Sequence, residues 1–252
     1  MRLPKVAALF AVIAIAVACR APLGRQYEYE EQIYLRVDGS ATVIVNASIA
    51  ALVALRGADL DPSSSSRIDR ADVRRVFEAA GCEVASVGQP WRRHGRRFVQ
   101  VRMATGDVRK LAGCRMLAWS SYTLEPFDEE QLRYVQVVGK ADGSDPGSVK
   151  WTGKEIVGFK LHVPSTIEWH NVRRLEDGTT GEVDRGNILT WEQYLSDRRA
   201  GTPLRMEVRM SSQSILYRTL LLFGGAMLAA FSVLALAVWL TIRRGRRQAL
   251  AK

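Results

Sequence analysis

Cys82 and Cys114 have the chemistry and the spacing to form a disulfide in the middle of the chain. Each follows a glycine at the end of a helix-like run, so the two thiols have similar local settings. A bond that closes a loop of about 30 residues stabilises a fold by roughly 3–4 kcal/mol in the chain-entropy model. Two buried free thiols are the alternative, and export from the cell would permit the bond.

A cluster of four arginines provides positive charge around His94-Gly95. One interpretation is a solvated hairpin turn. The other is contact with anionic lipid headgroups, where each basic residue near a charged surface contributes about 1 kcal/mol. The residues of the cluster are Arg92, Arg93, Arg96 and Arg97.

Two tryptophans, Trp169 and Trp191, lie in neighbouring strand-like segments, His162–Asn171 and Arg185–Glu192. We interpret these segments as paired strands that carry the two indoles on one face. The rings then either fill the core of the sheet or line an apolar groove where an acyl chain could lie.

Catalytic and metal-binding signatures are missing from the sequence. His94, His162 and His170 stand apart, and the last two are separated by Pro164-Ser165, so they do not predict a metal site. The sequence has no His-Glu-x-x-His, no phosphate-binding Gly-rich loop with a Lys and no Gly-x-Ser-x-Gly. We therefore predict a protein that is not an enzyme, with no metal and no cofactor.

Two apolar runs near the ends of the chain indicate the cellular compartment of the domain between them. Residues 1–18 resemble a cleaved secretory signal peptide, with basic residues before a short apolar core. Small residues precede Cys19 as in a degenerate bacterial lipobox, which predicts a lipid anchor on that thiol. Ordinary cleavage that leaves Cys19 unmodified is the alternative.

The second apolar run predicts a transmembrane helix over residues 217–242. Its 23 uncharged residues from Leu220 to Ile242 would reach roughly 35 Å as a helix, enough to cross a bilayer. The tail, residues 243–252, is basic and has no acid, so the positive-inside rule places it in the cytoplasm. We expect a single-pass protein of the cell membrane with most of the chain outside the cytoplasm.

The charge distribution argues against a nucleic-acid partner. The chain has 36 basic and 26 acidic residues, but eight of the bases lie in the signal, the tail or beside the span. The exported part is therefore nearly neutral, whereas a nucleic-acid domain carries a concentrated basic face. Membrane lipid is the expected partner, and small residues in the span would permit a membrane-protein partner or self-association.

Hydrophobic periodicity and turn residues predict an α+β domain over residues 19–216, with an antiparallel sheet and two short helices. An alternating segment, Asp38-Gly39 and a second alternating segment predict an opening β-hairpin. Asp69 is the expected N-cap of the first helix, and Thr105-Gly106-Asp107 begins the second. The run Ile49–Leu55 is strand or short helix. The remaining predicted strands are Glu83–Val87, Arg97–Met103, Leu117–Leu124, Arg133–Val138, Glu155–Val163, Thr166–Trp169, Ile188–Tyr194 and Pro203–Met210.

Several of these motifs resemble the mycobacterial LppM-type lipoproteins. The matching residues are Val37-Asp38-Gly39-Ser40-Ala41, Val163-Pro164-Ser165-x-Ile167, Gly186-Asn-x-Leu-Thr-Trp191 and Gly201-x-Pro-Leu204. The chain departs from that family's pattern at Ser165, where a Gly is typical, and in its two internal cysteines. The resemblance implies a lipid-associated envelope protein without known catalysis.

Three functions follow from these patterns. The first is a non-enzymatic envelope protein whose exported domain binds lipid or a membrane partner. The second is a scaffold or subunit of an envelope complex, and the third is an envelope hydrolase. A continuous apolar groove lined by Trp169 and Trp191 would favour the first.

Overall fold

A computed structural model describes residues 25–147, 149–213 and 215–249 of the chain. The predicted signal peptide and Cys19 lie outside the described residues. In chain order the elements are β1 (Tyr27–Leu35), β2 (Ala41–Ser48), α1 (Ile49–Arg56), α2 (Arg70–Ala79), β3 (Val84–Val87), β4 (Trp91–Arg93), β5 (Arg96–Thr105), a 3-10 helix η1 (Val108–Gly113), β6 (Ser120–Pro126), β7 (Gln131–Val138), β8 (Ile156–His162), β9 (Ile167–His170), β10 (Ile188–Tyr194), α3 (Leu195–Ala200), β11 (Leu204–Ser211) and α4 (Ile215–Ala249).

The strands form two sheets, which we name sheet A and sheet B. Sheet A has the order β10-β8-β1-β2-β5-β3, and β4 also pairs with β5; sheet B has the order β6-β7-β11-β9. The predicted α+β class is confirmed, and most strand pairs are antiparallel. The single predicted sheet is corrected to two, and β1 pairs with β8 in parallel.

The opening hairpin forms as predicted, because its turn residues suit the backbone they adopt. Gly39 has φ +84°, a conformation that glycine adopts without a Cβ clash. The carboxylate of Asp38 accepts hydrogen bonds from the backbone amide of Ser40 (2.9 Å) and from its hydroxyl (2.6 Å). These contacts hold β1 against β2 in a continuous register from Tyr29–Ala47 to Leu35–Ala41.

The ambiguous run after β2 is a helix, α1. Ser48 caps its start by accepting a hydrogen bond from the amide of Ala51 (3.0 Å), and Gly57, with φ +58°, ends it in a left-handed turn. All eight residues of α1 are buried. The run Ile49–Leu55 is apolar on every side of the helix and shows no amphipathic period. Its periodicity therefore did not distinguish helix from strand.

The two predicted short helices are α2 and η1. The Asp69 side chain caps α2 and the Asp107 side chain caps η1. Val73 and Phe77, one turn apart, are the fully buried residues of α2 and point into the core. The helix α3 was not predicted, since it is only six residues long and lies directly after β10.

The core contains two fully buried arginines, Arg56 and Arg198, whose guanidinium groups both lie near Trp119. The Arg56 guanidinium lies 4.7 Å from the indole centroid and donates to three backbone carbonyls and to Asp142. The Arg198 guanidinium lies 5.6 Å from the same ring and donates to three further carbonyls. Burial lowers the pKa of Arg198 to about 10. Both charges replace lost hydration with carbonyl oxygens, and they thereby join α1 and α3 to the ends of β6 and β7.

The helix α4 follows the domain, and the side chains described along its apolar segment are exposed. Within it, the 22 residues Thr219–Leu240 have a mean hydropathy of 2.3, and none of the most apolar stretch is buried. The segment is long and apolar enough to cross a bilayer. Such an exposed apolar surface is unfavourable in water, which agrees with the predicted span.

Candidate functional site

A cleft with one apolar wall and a charged rim separates α2 from the segment that connects it to α1. The cleft has a volume of about 550 Å³, within the usual range for small-molecule sites. It is lined on its apolar side by Ile49, Leu60, Ile68, Val73, Val76 and Met116. The cleft forms because α2 contacts the domain through a narrow stripe centred on Val73 and Phe77, which leaves the space under its flank unfilled.

An adjoining groove of about 990 Å³ runs from the start of α2 to β4. The cleft and the groove share the residues Ser66 to Asp69 and Arg97, so they form one continuous concavity. Arg67, Arg70 and Arg92 line the groove beside the partly exposed ring of Trp91. We call these three residues the mouth arginines.

The mouth arginines are available to a ligand. All three are exposed, and no ion pair or side-chain hydrogen bond engages them among the residues that the structure describes. Two acids of the same concavity are already engaged. The Asp69 carboxylate caps α2 (2.8 Å to the Ala71 amide), and Asp72 pairs with Arg75 at 2.7 Å.

Asp61, at the other side of the cleft, is also engaged within the domain. Its carboxylate accepts a hydrogen bond from the Ser63 amide at 2.8 Å, and this bond is the main cause of its lowered pKa. Among the described residues, the groove is lined by the three mouth arginines and Arg97 against one acid, Asp69, so the mouth of the concavity has an excess of positive charge.

Within the predicted arginine cluster, three side chains have structural contacts. Arg93 donates to the Tyr27 carbonyl and stacks 4.3 Å from the Phe98 ring. Arg96 pairs with the buried carboxylate of Glu28 at 3.0 Å. Their turn is the hairpin that the first interpretation predicts, with left-handed backbone at its two central residues.

Arg97, the fourth member of the cluster, is almost fully buried and donates to the Asp61 carbonyl. Burial lowers the pKa of Arg97. The contact holds the segment between α1 and α2 in place along one side of the cleft. Only Arg92 of the predicted headgroup contacts is exposed and unpaired among the described residues, so the other three are corrected to structural residues.

Chain topology places the mouth of the concavity far from α4. The strand before α4 ends at Ser211, whose amide donates to the Thr166 carbonyl beside the end of β8. That end of sheet A contains the β1–β2 turn, whereas the β4–β5 hairpin lies beyond Ser48 at the opposite end of β2. Seven strand residues at about 3.3 Å each separate the two ends by roughly 23 Å.

The two tryptophans do not form the predicted groove. Trp191 on β10 belongs to sheet A and is 3% exposed, with its Nε1 donating to the Asn171 side chain at 2.9 Å. Trp169 on β9 belongs to sheet B and is 43% exposed. The chain changes sheets at Pro164-Ser165, where the buried Ser165 hydroxyl donates to the Ser211 carbonyl at 2.5 Å. The paired-strand interpretation of Trp169 and Trp191 is therefore wrong.

Cys82 and Cys114 are joined by a disulfide, the first of the two predicted alternatives. Cys82 follows α2 and Cys114 follows η1, so the bond ties the end of α2 to the segment that leads into β6. A backbone hydrogen bond from Arg115 to Ala80 (2.8 Å) supports the same junction. The bond thus positions the helix that forms one wall of the cleft.

Sequence reasoning missed Arg67 and Arg70. The chemical signal was present, since both are basic residues on either side of the predicted N-cap of α2. Their functional grouping with Arg92 depends on the pairing of β3 and β4 with β5, which brings the hairpin to the start of α2. Among the described residues, no group of three or more His, Cys, Asp or Glu side chains could hold a metal ion.

No family model, curated protein or solved structure matches the chain.

Proposed function

We propose that this chain is a single-pass membrane protein whose exported domain binds an anionic lipid without catalysing a reaction. The site is the concavity formed by the cleft and the groove. The observation that supports this function is a cleft with an apolar wall that opens directly onto three arginines without ion pairs among the described residues. A ligand that fits both parts has an apolar chain and a negatively charged head.

The chemistry of the two parts is complementary to such an amphiphile. The cleft walls would remove an acyl chain from water, at about 25 cal/mol for each Å² of apolar surface buried. The mouth arginines would bind a phosphate, whose oxygens match the planar guanidinium donors. Trp91 offers a ring at the boundary between the apolar and the charged part.

The distance of the mouth from α4 suggests how the lipid is held. A lipid in the groove would have left the bilayer that α4 crosses, because the groove lies at the far end of sheet A. The domain would therefore carry or present a lipid away from that membrane. The predicted resemblance to LppM-type lipoproteins agrees with a lipid-associated function.

The two ends of the chain would keep this domain at one membrane. We propose that α4 spans the bilayer with the basic tail in the cytoplasm, and that a signal peptide exports the domain. If Cys19 is lipidated, both ends of the domain are anchored in the same membrane. Mass spectrometry of the mature N-terminus tests that modification.

The experiment is photo-crosslinking of the full chain, reconstituted in vesicles, with a photoactivatable phosphatidic acid. We expect crosslinked peptides from the segment between α1 and α2, in addition to those from α4. The variant Arg67→Ala/Arg92→Ala removes about 1 kcal/mol of headgroup attraction for each residue, so crosslinking at the cleft should fall about 30-fold at subsaturating probe.

The matched control is Arg102→Ala/Arg174→Ala, which removes the same charge from exposed arginines outside the concavity. It should leave crosslinking at the cleft unchanged. Crosslinks to α4 provide an internal reference for lipid that merely surrounds the span. Crosslinks confined to α4, or an equal loss in both variants, would rule out the proposed lipid site.

A further inference from the structure

An exposed cation–aromatic cluster lies on sheet B, at the end of the domain that leads into α4. The Arg209 guanidinium stands 4.0 Å from the Phe127 ring centroid and 5.0 Å from that of Trp169. Both aromatic side chains are 43% exposed. We call these three residues the aromatic patch.

Arg209 retains binding capacity in this arrangement. Its side chain is half-buried, and no acid pairs with its guanidinium among the described residues, so the exposed part of the guanidinium can bind an anion. Its neighbour across the strand, Arg133, is in contrast paired with Glu207 at 2.8 Å. An unpaired guanidinium between two exposed rings can bind a phosphate while the rings contact apolar groups.

The short connection to α4 sets the distance between this patch and the apolar segment of α4. Phe127 stands at the β6–β7 turn, where the Glu130 carbonyl accepts a hydrogen bond from the Ser212 amide at 2.7 Å. The helix α4 begins three residues later, at Ile215, and its apolar segment begins at Thr219. Four helical residues rise about 6 Å, which equals the thickness of one headgroup layer.

The patch therefore lies at the level of the membrane surface if α4 crosses the bilayer. Trp and Phe side chains are favoured at this level, since the rings are apolar and the indole N–H can still reach water or headgroups. The same turn has three acids, Asp128, Glu129 and Glu130, so a strongly anionic surface would repel it. A predominantly zwitterionic bilayer suits both the rings and the acids.

We propose that the aromatic patch rests in the headgroup layer of the bilayer that α4 crosses. Phe127 and Trp169 insert beside the glycerol region, and Arg209 binds a lipid phosphate between them. This second contact would fix the domain's tilt and hold the mouth of the concavity away from the membrane. The proposal rests on the proposed transmembrane position of α4, and the experiment separates the two.

The test uses tryptophan fluorescence of the full chain in phosphatidylcholine vesicles whose lipids are brominated near the carbonyl end of the acyl chains. Trp239 lies within the apolar segment and would itself be quenched. In a Trp239→Phe background we expect shallow bromines to quench a fraction of the remaining emission. Adding Trp169→Phe should abolish that quenching, whereas adding Trp91→Phe should leave it unchanged.

Trp91 is the matched control because it is also exposed but lies at the far end of sheet A. Quenching of Trp239 by bromines deep in the acyl chains tests the span by itself. If Trp239 is quenched and the Trp239→Phe variant is not, α4 spans the bilayer and the patch proposal is overturned. The patch proposal also fails if Trp169→Phe retains all of the shallow quenching.

Discussion

Glu31 shows how single residues join the two sheets. Its carboxylate lies at the interface of sheets A and B, 1% exposed, and accepts hydrogen bonds from Gln136 (2.9 Å), Tyr122 (3.2 Å) and Tyr29 (3.3 Å). Tyr134 extends the network by donating to the Gln136 side chain at 2.8 Å. Burial raises the pKa of Glu31, because the apolar surroundings disfavour the charged form more than these donors favour it.

Replacing Glu31 should change how stability depends on pH. The folded state holds the Glu31 proton to a higher pH than the unfolded state does, so this group's contribution falls as pH rises above about 4.5. The stability of Glu31→Gln relative to the wild type should therefore increase between pH 4.5 and neutrality. Urea unfolding of the full chain in detergent, followed by tryptophan fluorescence over a pH series, measures this difference.

Glu129→Gln provides the control, since Glu129 is exposed on the β6–β7 turn. Its stability relative to the wild type should not rise with pH as that of Glu31→Gln does. A constant difference between Glu31→Gln and the wild type across the pH series would show that the Glu31 pKa is the same in both states.

At the scale of elements, the disulfide helps to hold α2, the helix that forms one wall of the cleft. The helix α2 fully buries only Val73 and Phe77, and Arg74 adds hydrogen bonds to the Val84 and Ala85 carbonyls of β3. The Cys82–Cys114 bond and the backbone hydrogen bond beside it fasten its C-terminal end. The space beside α2 can therefore stay open as a cleft while the helix keeps its position.

Removing this bond should lower the free energy of unfolding. The two cysteines are 32 residues apart, for which the chain-entropy model gives about 3–4 kcal/mol. We expect Cys82→Ser/Cys114→Ser to lose this amount in urea unfolding and to crosslink less phosphatidic acid at the cleft. Ser86→Ala/Ser121→Ala, at two exposed strand residues, is the control, and a loss below about 1 kcal/mol in the cysteine double variant would contradict the expectation.

In the proposed arrangement, the whole molecule combines a membrane-proximal end with a membrane-distal site. Sheet B leads into α4 and has the aromatic patch, whereas the mouth arginines lie at the end of sheet A farther from α4, roughly 23 Å along β2 from the β1–β2 turn. This separation follows from the parallel pairing of β1 with β8 and the change of sheet at Pro164-Ser165. Because of this separation, we propose that the basic hairpin contacts a lipid that has left the bilayer, and not the bilayer surface.

The proposed orientation predicts which residues can be labelled from outside the cell. A cysteine introduced as Arg102→Cys in the domain should react with a membrane-impermeant maleimide on intact cells. Ala251→Cys in the tail should react only after permeabilisation, because the proposed orientation places the basic tail in the cytoplasm. The wild type reports background labelling, and the reverse pattern would show that the span is inverted.

Local chemistry was sufficient for a large part of the fold. The β1–β2 hairpin follows from alternation and a turn that needs glycine, and α2 follows from its cap and helical period. β10 has the predicted bounds, and most other strands agree within a few residues. These features were predictable because hydrophobic period and turn preference act over a few neighbouring residues.

By itself, therefore, the sequence determined the α+β class, most element positions and one long apolar helix. Only the tertiary structure decided that Ile49–Arg56 is helical, that β9 leaves sheet A, and that Trp191 is buried while Trp169 is exposed. It also decided that Arg97 is structural and that Arg67, Arg70 and Arg92 share one mouth. The reason is that burial and pairing depend on partners far along the chain, which no local spacing of residues specifies.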